Sequence, residues 1–200
     1  MKKILHVISS PRGNASYSIR LGNKIVEKLL AGYPGSTVKE YDLVNVHFPH
    51  LEEAHLTSFF TPAEVRTKEN LEAVKHSDEA IAAIQEADII VIGAPMYNFG
   101  IHSSLKAWLD HIVRKGITFS VGEKGAEGLI RGKKVYIAMS SGWIYSEGAA
   151  KANDFVVPYL TFMLSFIGLS DITVFRIEGV GIPGNEEQAV EKGLSSVVVD

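Results

Sequence analysis

Asp88-Ile89-Ile90-Val91-Ile92-Gly93-Ala94 runs directly into Pro95-Met96-Tyr97-Asn98-Phe99-Gly100, and Ser103 then opens a segment of different periodicity. The first stretch is short, rich in β-branched residues and apolar at consecutive positions, the pattern of a strand covered on both faces. The last, Ser103–Arg114, places Leu105, Trp108, Leu109, Ile112 and Val113 at i, i+3, i+4, i+7 and i+8, one face of a helix. A buried strand feeding an amphipathic helix through a short loop is half of a βαβ unit, which implies a parallel sheet with helices on both sides.

Working outward, Lys3–Ile8, Lys134–Ser140 and Asp171–Glu178 read as further buried strands, and Thr37–Asp42 alternates as an edge strand does. Helical patterns cover Tyr17–Leu30, Ser77–Glu86, Asp154–Ile167 and Asn185–Leu194; in the first, Ile19, Gly22, Val26, Leu29 and Leu30 are expected inward. Strands that alternate with helices pair in parallel through right-handed crossovers, and five of them favour a doubly wound, flavodoxin-like α/β sheet in one domain spanning 1–200. In such sheets ligands bind beyond the carboxyl ends of the strands. Val44–Glu69 and Lys115–Gly132 exceed ordinary loop length, which points to binding or assembly.

The composition of the 200 residues is that of an ordinary globular protein, 46% hydrophobic and 22% charged. A formal charge of -3 and the absence of a basic run offer nothing to a phosphate backbone, so nucleic acid is not expected as a partner. Cysteine is absent, so redox activity would need a cofactor. No stretch approaches the roughly 20 apolar residues of a membrane span, and the N-terminus reads as a strand rather than a signal peptide, which leaves the cytoplasm as the expected location.

Three strand-end loops carry the chemistry. Ser9-Ser10-Pro11-Arg12-Gly13-Asn14-Ala15-Ser16-Tyr17-Ser18 supplies hydroxyls and a helix start, a seat for a phosphate. It lacks the Gly-x-x-x-x-Gly-Lys-Ser/Thr of nucleoside triphosphatases, so a monophosphate fits better. Met96-Tyr97-Asn98-Phe99 crowds a thioether, two aromatics and an amide onto one loop, which suits a flat heteroaromatic ring. Ser140-Ser141-Gly142-Trp143-Ile144-Tyr145 adds a glycine for close approach and more stacking surface. A phosphate seat beside a ring slot describes a mononucleotide with a large planar base, and FMN is the candidate.

Through Ser9-Ser10, Ala94–Phe99, Gly116-Ile117-Thr118-Phe119, Glu127-Gly128-Leu129, Gly132-Lys133-Lys134, Pro158-Tyr159-Leu160 and Phe166-Ile167-Gly168, the chain resembles the bacterial FMN-dependent NADH azoreductases, also described as NADH:quinone oxidoreductases. The resemblance implies a homodimer that binds FMN, takes electrons from NADH and passes two of them to quinones or azo compounds. Because the flavin carries the hard chemistry, no catalytic side chain is needed, and hydride transfer to flavin N5 before the acceptor replaces the nicotinamide predicts ping-pong kinetics. By position it implies FMN contacts at Ser10, Ser16, Tyr17, Ser18, Met96, Tyr97, Asn98, Phe99, Ser140, Ser141, Gly142 and Trp143. The family's Ser-Arg-Gly-Gly is Ser140-Ser141-Gly142-Trp143 here, and a His that follows it is Tyr145.

Other signals carry less. Gly179-Val180-Gly181-Ile182-Pro183-Gly184 matches a dinucleotide fingerprint, but too little chain follows it to build a second βαβ strand, so it reads as a strand-end loop. His47, His50 and His55 with Glu52 and Glu53 lack metal-ligand spacing and read as a solvated loop, as do the charges of Glu123–Lys134. The alternatives are an FMN electron carrier without its own substrate, usually far more acidic, and a flavin-free hydrolase, for which no nucleophile stands at motif spacing from a base.

Overall fold

A computed structural model describes residues 1–46 and 48–199. In chain order the elements are β1 (Lys3–Ile8), α1 (Tyr17–Gly32), β2 (Thr37–Asp42), α2 (Glu53–Phe60), α3 (Lys68–Glu86), β3 (Ile89–Pro95), α4 (Ser103–Ile112), β4 (Phe119–Gly122), β5 (Gly125–Gly128), β6 (Lys134–Ser141), α5 (Val157–Phe166), β7 (Asp171–Glu178) and α6 (Glu186–Ser195). Five strands form a parallel sheet in the order β2-β1-β3-β6-β7. Successive strands are added on one side of β1 and then, from β3 onward, on the other, the doubly wound arrangement.

The central strand shows why the sheet is two-faced. Along β3, Ile90, Ile92 and Ala94 join the core that holds Leu105, Trp108 and Leu109, while Ile89 and Val91 join the opposite core with Leu21, Ile25 and Leu29. Side chains alternate across a strand, so an unbroken apolar run is needed when both faces are covered. β2 lies at the edge, with four of its six residues exposed.

α1 is rotated from the expected face. Leu21, Gly22, Ile25 and Leu29 are buried with Ser18, whereas Ile19 and Val26 are half-buried and Leu30 is exposed. The cause is a close approach to the sheet: a methyl group at Gly22 would stand 2.6 Å from His6 Nε2. α5 starts at Val157 rather than Asp154, because Asp154 Oδ1 accepts from the N–H groups of Val156 and Val157, both at 3.0 Å, and so acts as a cap.

The long stretches are not plain loops. α2 lies within the former, and α3 begins at its end with Lys68, ahead of the expected Ser77, opened by a capping box between Thr67 and Asn70. His55 is buried, not solvated: its ring lies 4.8 Å from that of His111. His47 lies outside the described residues, His50 is exposed, and no cluster of three metal-ligating groups occurs among the described residues. In the other stretch β4 and β5 form an antiparallel hairpin. Lys133, expected in a solvated loop, instead donates to the carbonyls of Gln85 at 2.7 Å and Ala87 at 2.5 Å, closing the end of α3.

Candidate functional site

A cleft of about 350 Å³ opens at the carboxyl ends of β1, β3, β6 and β7. Arg12, Ser16 and Tyr17 form one wall, Pro95, Met96 and Tyr97 the next, then Ser140, Ser141 and Gly142, and finally Val180 and Gly181. A recess of about 470 Å³ lies at the other end of the sheet, near Lys2, Asp88, Lys133 and Asp171. Its lysines are engaged, Lys133 on carbonyls and Lys134 on Asp171 at 2.7 Å, and it stands away from the loops at the strand carboxyl ends.

The first wall is a helix start. Ser16 Oγ caps α1 by accepting from Ile19 N–H at 3.4 Å and lies 3.0 Å from Ser18 Oγ. The N–H groups of Tyr17 and Ser18 fall in the first turn, where no helix carbonyl precedes them to accept. Arg12 adds positive charge, its guanidinium 5.8 Å from the Tyr17 ring centroid. Ser9 Oγ donates to Gly93 O at 2.7 Å, which ties this loop to β3. Free first-turn N–H groups beside a guanidinium are the arrangement that attracts an anion.

The second wall ends in a strained turn. Tyr97 and Gly100 exchange N–H···O bonds of 3.0 Å each, and the two residues between them, Asn98 and Phe99, have φ of 48° and 68°. That is a type I′ hairpin, which suits Asn at the first central position but not Phe at the second. Met96 N–H donates to Ser140 O at 2.8 Å, binding this wall to the third.

At Gly142 a side chain would meet only open space, so protein packing does not require glycine there, and the bare backbone stays available to a ligand. At Gly181 space is tight: an added methyl would stand 3.0 Å from Gly142 O, the atom that accepts from Gly181 N–H at 2.8 Å. The former fingerprint match therefore acts as a strand-end wall.

A family profile described as flavodoxin-like fold matches residues 2–198. This chain belongs to that flavodoxin-like family. It is 45% identical over 195 residues to an FMN-dependent NADH:quinone oxidoreductase of Mesorhizobium japonicum, covering 97% of this chain and 93% of that protein. Identity is 46% to an enzyme of the same name from Herminiimonas arsenicoxydans, covering 98% of this chain and 94% of the other. The crystal structure of azoreductase from Bacillus anthracis str. Sterne superposes with a TM-score of 0.90 at 29% identity, covering 98% of this chain and 96% of that one.

In this flavodoxin-like protein the cleft gathers Ser16, Tyr17, Met96, Tyr97, Ser140, Ser141 and Gly142 from the sequence-derived set. Ser10 and Ser18 are buried behind the first wall, Ser10 Oγ accepting from Arg12 N–H at 3.4 Å. Asn98, Phe99 and Trp143 stand outside the lining. Arg12, Pro95, Val180 and Gly181 complete the lining beyond the residues the sequence pattern marks. The rule that ligands gather at strand carboxyl ends, applied to the loop after the fifth strand, would have found the last two.

Proposed function

We propose that this chain is an FMN-dependent NADH:quinone oxidoreductase that also cleaves azo compounds, with FMN held in the cleft at the strand carboxyl ends. The observation that carries the reading is the anion seat of Arg12, Ser16 and the α1 start lying on one rim with an aromatic slot. FMN, when bound, accepts a hydride equivalent from the nicotinamide and yields two electrons to the acceptor. The α1 start and Arg12 would hold its phosphate by N–H donation and opposite charge. Met96, Tyr97, Asn98 and Phe99 on one side and Ser140, Ser141, Gly142 and Trp143 on the other would orient its ring and exclude water, with Ser10 and Ser18 supporting the phosphate loop from behind. Donor and acceptor would use the same face in turn, which gives ping-pong kinetics.

Exposed apolar residues on α5 and in the hairpin, Phe162 at 66% and Val121 at 57%, support a homodimer. No helix among the described residues is long and apolar enough to cross a membrane. The proposed compartment is the cytoplasm, where NADH is at hand.

The test is the visible spectrum of protein incubated with FMN and desalted, then treated anaerobically with NADH and with benzoquinone. Bands that persist, bleach and return support the reading; bands that NADH leaves unchanged favour an electron carrier, and loss of flavin on desalting rejects the cofactor. Initial-rate plots should run parallel, and light scattering should give twice the chain mass.

A further inference from the structure

One carboxylate holds the loop that follows β6. Glu178, the last residue of β7, accepts on Oε1 from the N–H groups of Tyr145 at 2.8 Å and Ser146 at 3.0 Å. Its side chain is 12% exposed, with the bond to Tyr145 part-buried and the bond to Ser146 open to solvent, and both are of the charge-assisted kind. Arg176, on the same face of the strand, places Nη1 3.6 Å from that oxygen and donates through Nη2 to Asp154 Oδ2 at 2.8 Å. Asp154 in turn caps α5. The backbone adds Gly179 N–H, which donates to Ser141 O at 3.1 Å and Trp143 O at 3.3 Å.

The segment so fixed carries Trp143 and Tyr145. Trp143 is 54% exposed beside Gly142 of the cleft wall, and Phe99 of the opposite loop is 52% exposed. The Tyr145 and Phe99 rings meet edge-on with centroids 6.3 Å apart, and Phe155 N–H donates to Phe99 O at 3.3 Å. An aromatic rim left in water at a cleft mouth marks a place where flat apolar surface is received.

We propose that Glu178 is a positioning residue for acceptor specificity, setting the Trp143–Ser146 segment so that the rim favours fused-ring over single-ring quinones. This rests on the quinone-reductase reading. With FMN filling the cleft, an acceptor stacked on the flavin would project toward this rim, and a second fused ring would add ring contacts there.

Trp108 is buried at 1% exposure, so acrylamide quenching of the flavin-free protein reports Trp143. Glu178→Ala should raise that quenching clearly, while Glu178→Gln, which keeps an accepting oxygen, should restore it. In the FMN-loaded enzyme, the ratio of kcat/KM for 1,4-naphthoquinone to that for 1,4-benzoquinone should fall about tenfold in Glu178→Ala, the factor a well-placed ring contact is worth. Trp143→Ala should lower the ratio alike, and the double variant should fall no further than either. An unchanged ratio in Trp143→Ala overturns the proposal even should Glu178→Ala fail to fold, and so does unchanged quenching in a folded Glu178→Ala. The quenching arm needs no flavin, so loss of flavin would count against the functional reading and leave the positioning claim to stand or fall on its own result.

Discussion

The Tyr17 hydroxyl donates a 2.6 Å hydrogen bond to Glu186 Oε1, joining the first residue of α1 to the first of α6 beside the cleft. That bond to a carboxylate, ahead of desolvation and the carboxylate's charge, raises the phenol's pKa above its ordinary 10.0. Because the folded value exceeds the unfolded one, the bond's contribution is complete below the unfolded pKa and is lost as pH rises through the folded value. Burial also raises Tyr41, to about 12, and Tyr159, so ultraviolet titration should show several late-ionising tyrosines in the wild type and one of them ionising earlier in Glu186→Gln. A Tyr17→Phe variant that loses no late-ionising group would rule the assignment out.

Gly22 sits in the middle of α1, where alanine normally stabilises a helix by about 1 kcal/mol. Here the sign should invert, because the new methyl would stand 2.6 Å from the buried His6 ring. Gly22→Ala should therefore cost about 1–3 kcal/mol, the usual penalty of overpacking. In a His6→Ala background the methyl has room, and the same substitution should become neutral or stabilising. Urea denaturation of the four proteins measures this coupling.

Burial lowers the pKa of His6 to about 4, and burial, followed by the charge of His55, lowers that of His111 to about 4 as well. Both lie below the unfolded value of 6.5. Stability from keeping these rings neutral is present above pH 6.5 and is lost as pH falls toward 4, with a slope approaching about 1.4 kcal/mol per pH unit for each ring. Urea midpoints taken across that window should slope downward with acid, and His6→Gln/His111→Gln should flatten the slope. A double variant as acid-sensitive as the wild type would place the effect on other groups.

The sheet was legible because each of its inner strands is apolar on both faces and short, a pattern that few other elements produce. α2 was not, since Glu-Ala-His-Leu-Thr-Ser-Phe-Phe has mixed propensities and its capping box uses Glu52 and His55 in place of the usual residues. The hairpin was hidden by Gly122, Gly125 and Gly128, which read as a loop. Its docking explains the last of them: a side chain at Gly128 would collide with the backbone of Ile167 and Gly168. Within the cleft, hydroxyls and aromatics announced three walls. The fourth, Val180 and Gly181, offers only backbone and an aliphatic side chain, so it has no chemical signature.

Phe99 combines strain with exposure, and the two together argue for a role beyond folding. A non-glycine residue at φ 68° costs about 1–3 kcal/mol, and the second central position of this turn type is one that glycine fills without penalty. Phe99→Gly relieves that strain but loses the edge-on contact with Tyr145, about 0.5–1.5 kcal/mol, and adds backbone entropy to the unfolded chain, about 0.5–1 kcal/mol. Gains and losses nearly cancel, so stability should change by less than about 1 kcal/mol, whereas truncating a buried Phe costs about 3–5 kcal/mol. Phe99→Ala keeps the strain and loses the ring, and should be the less stable of the two by about 1 kcal/mol. Both variants should retain FMN less well and reduce fused-ring quinones more slowly, because the ring is missing from each. If glycine proves no more stable than alanine, the turn holds no strain; if quinone reduction is unaffected in both, Phe99 belongs to the fold and not to the site.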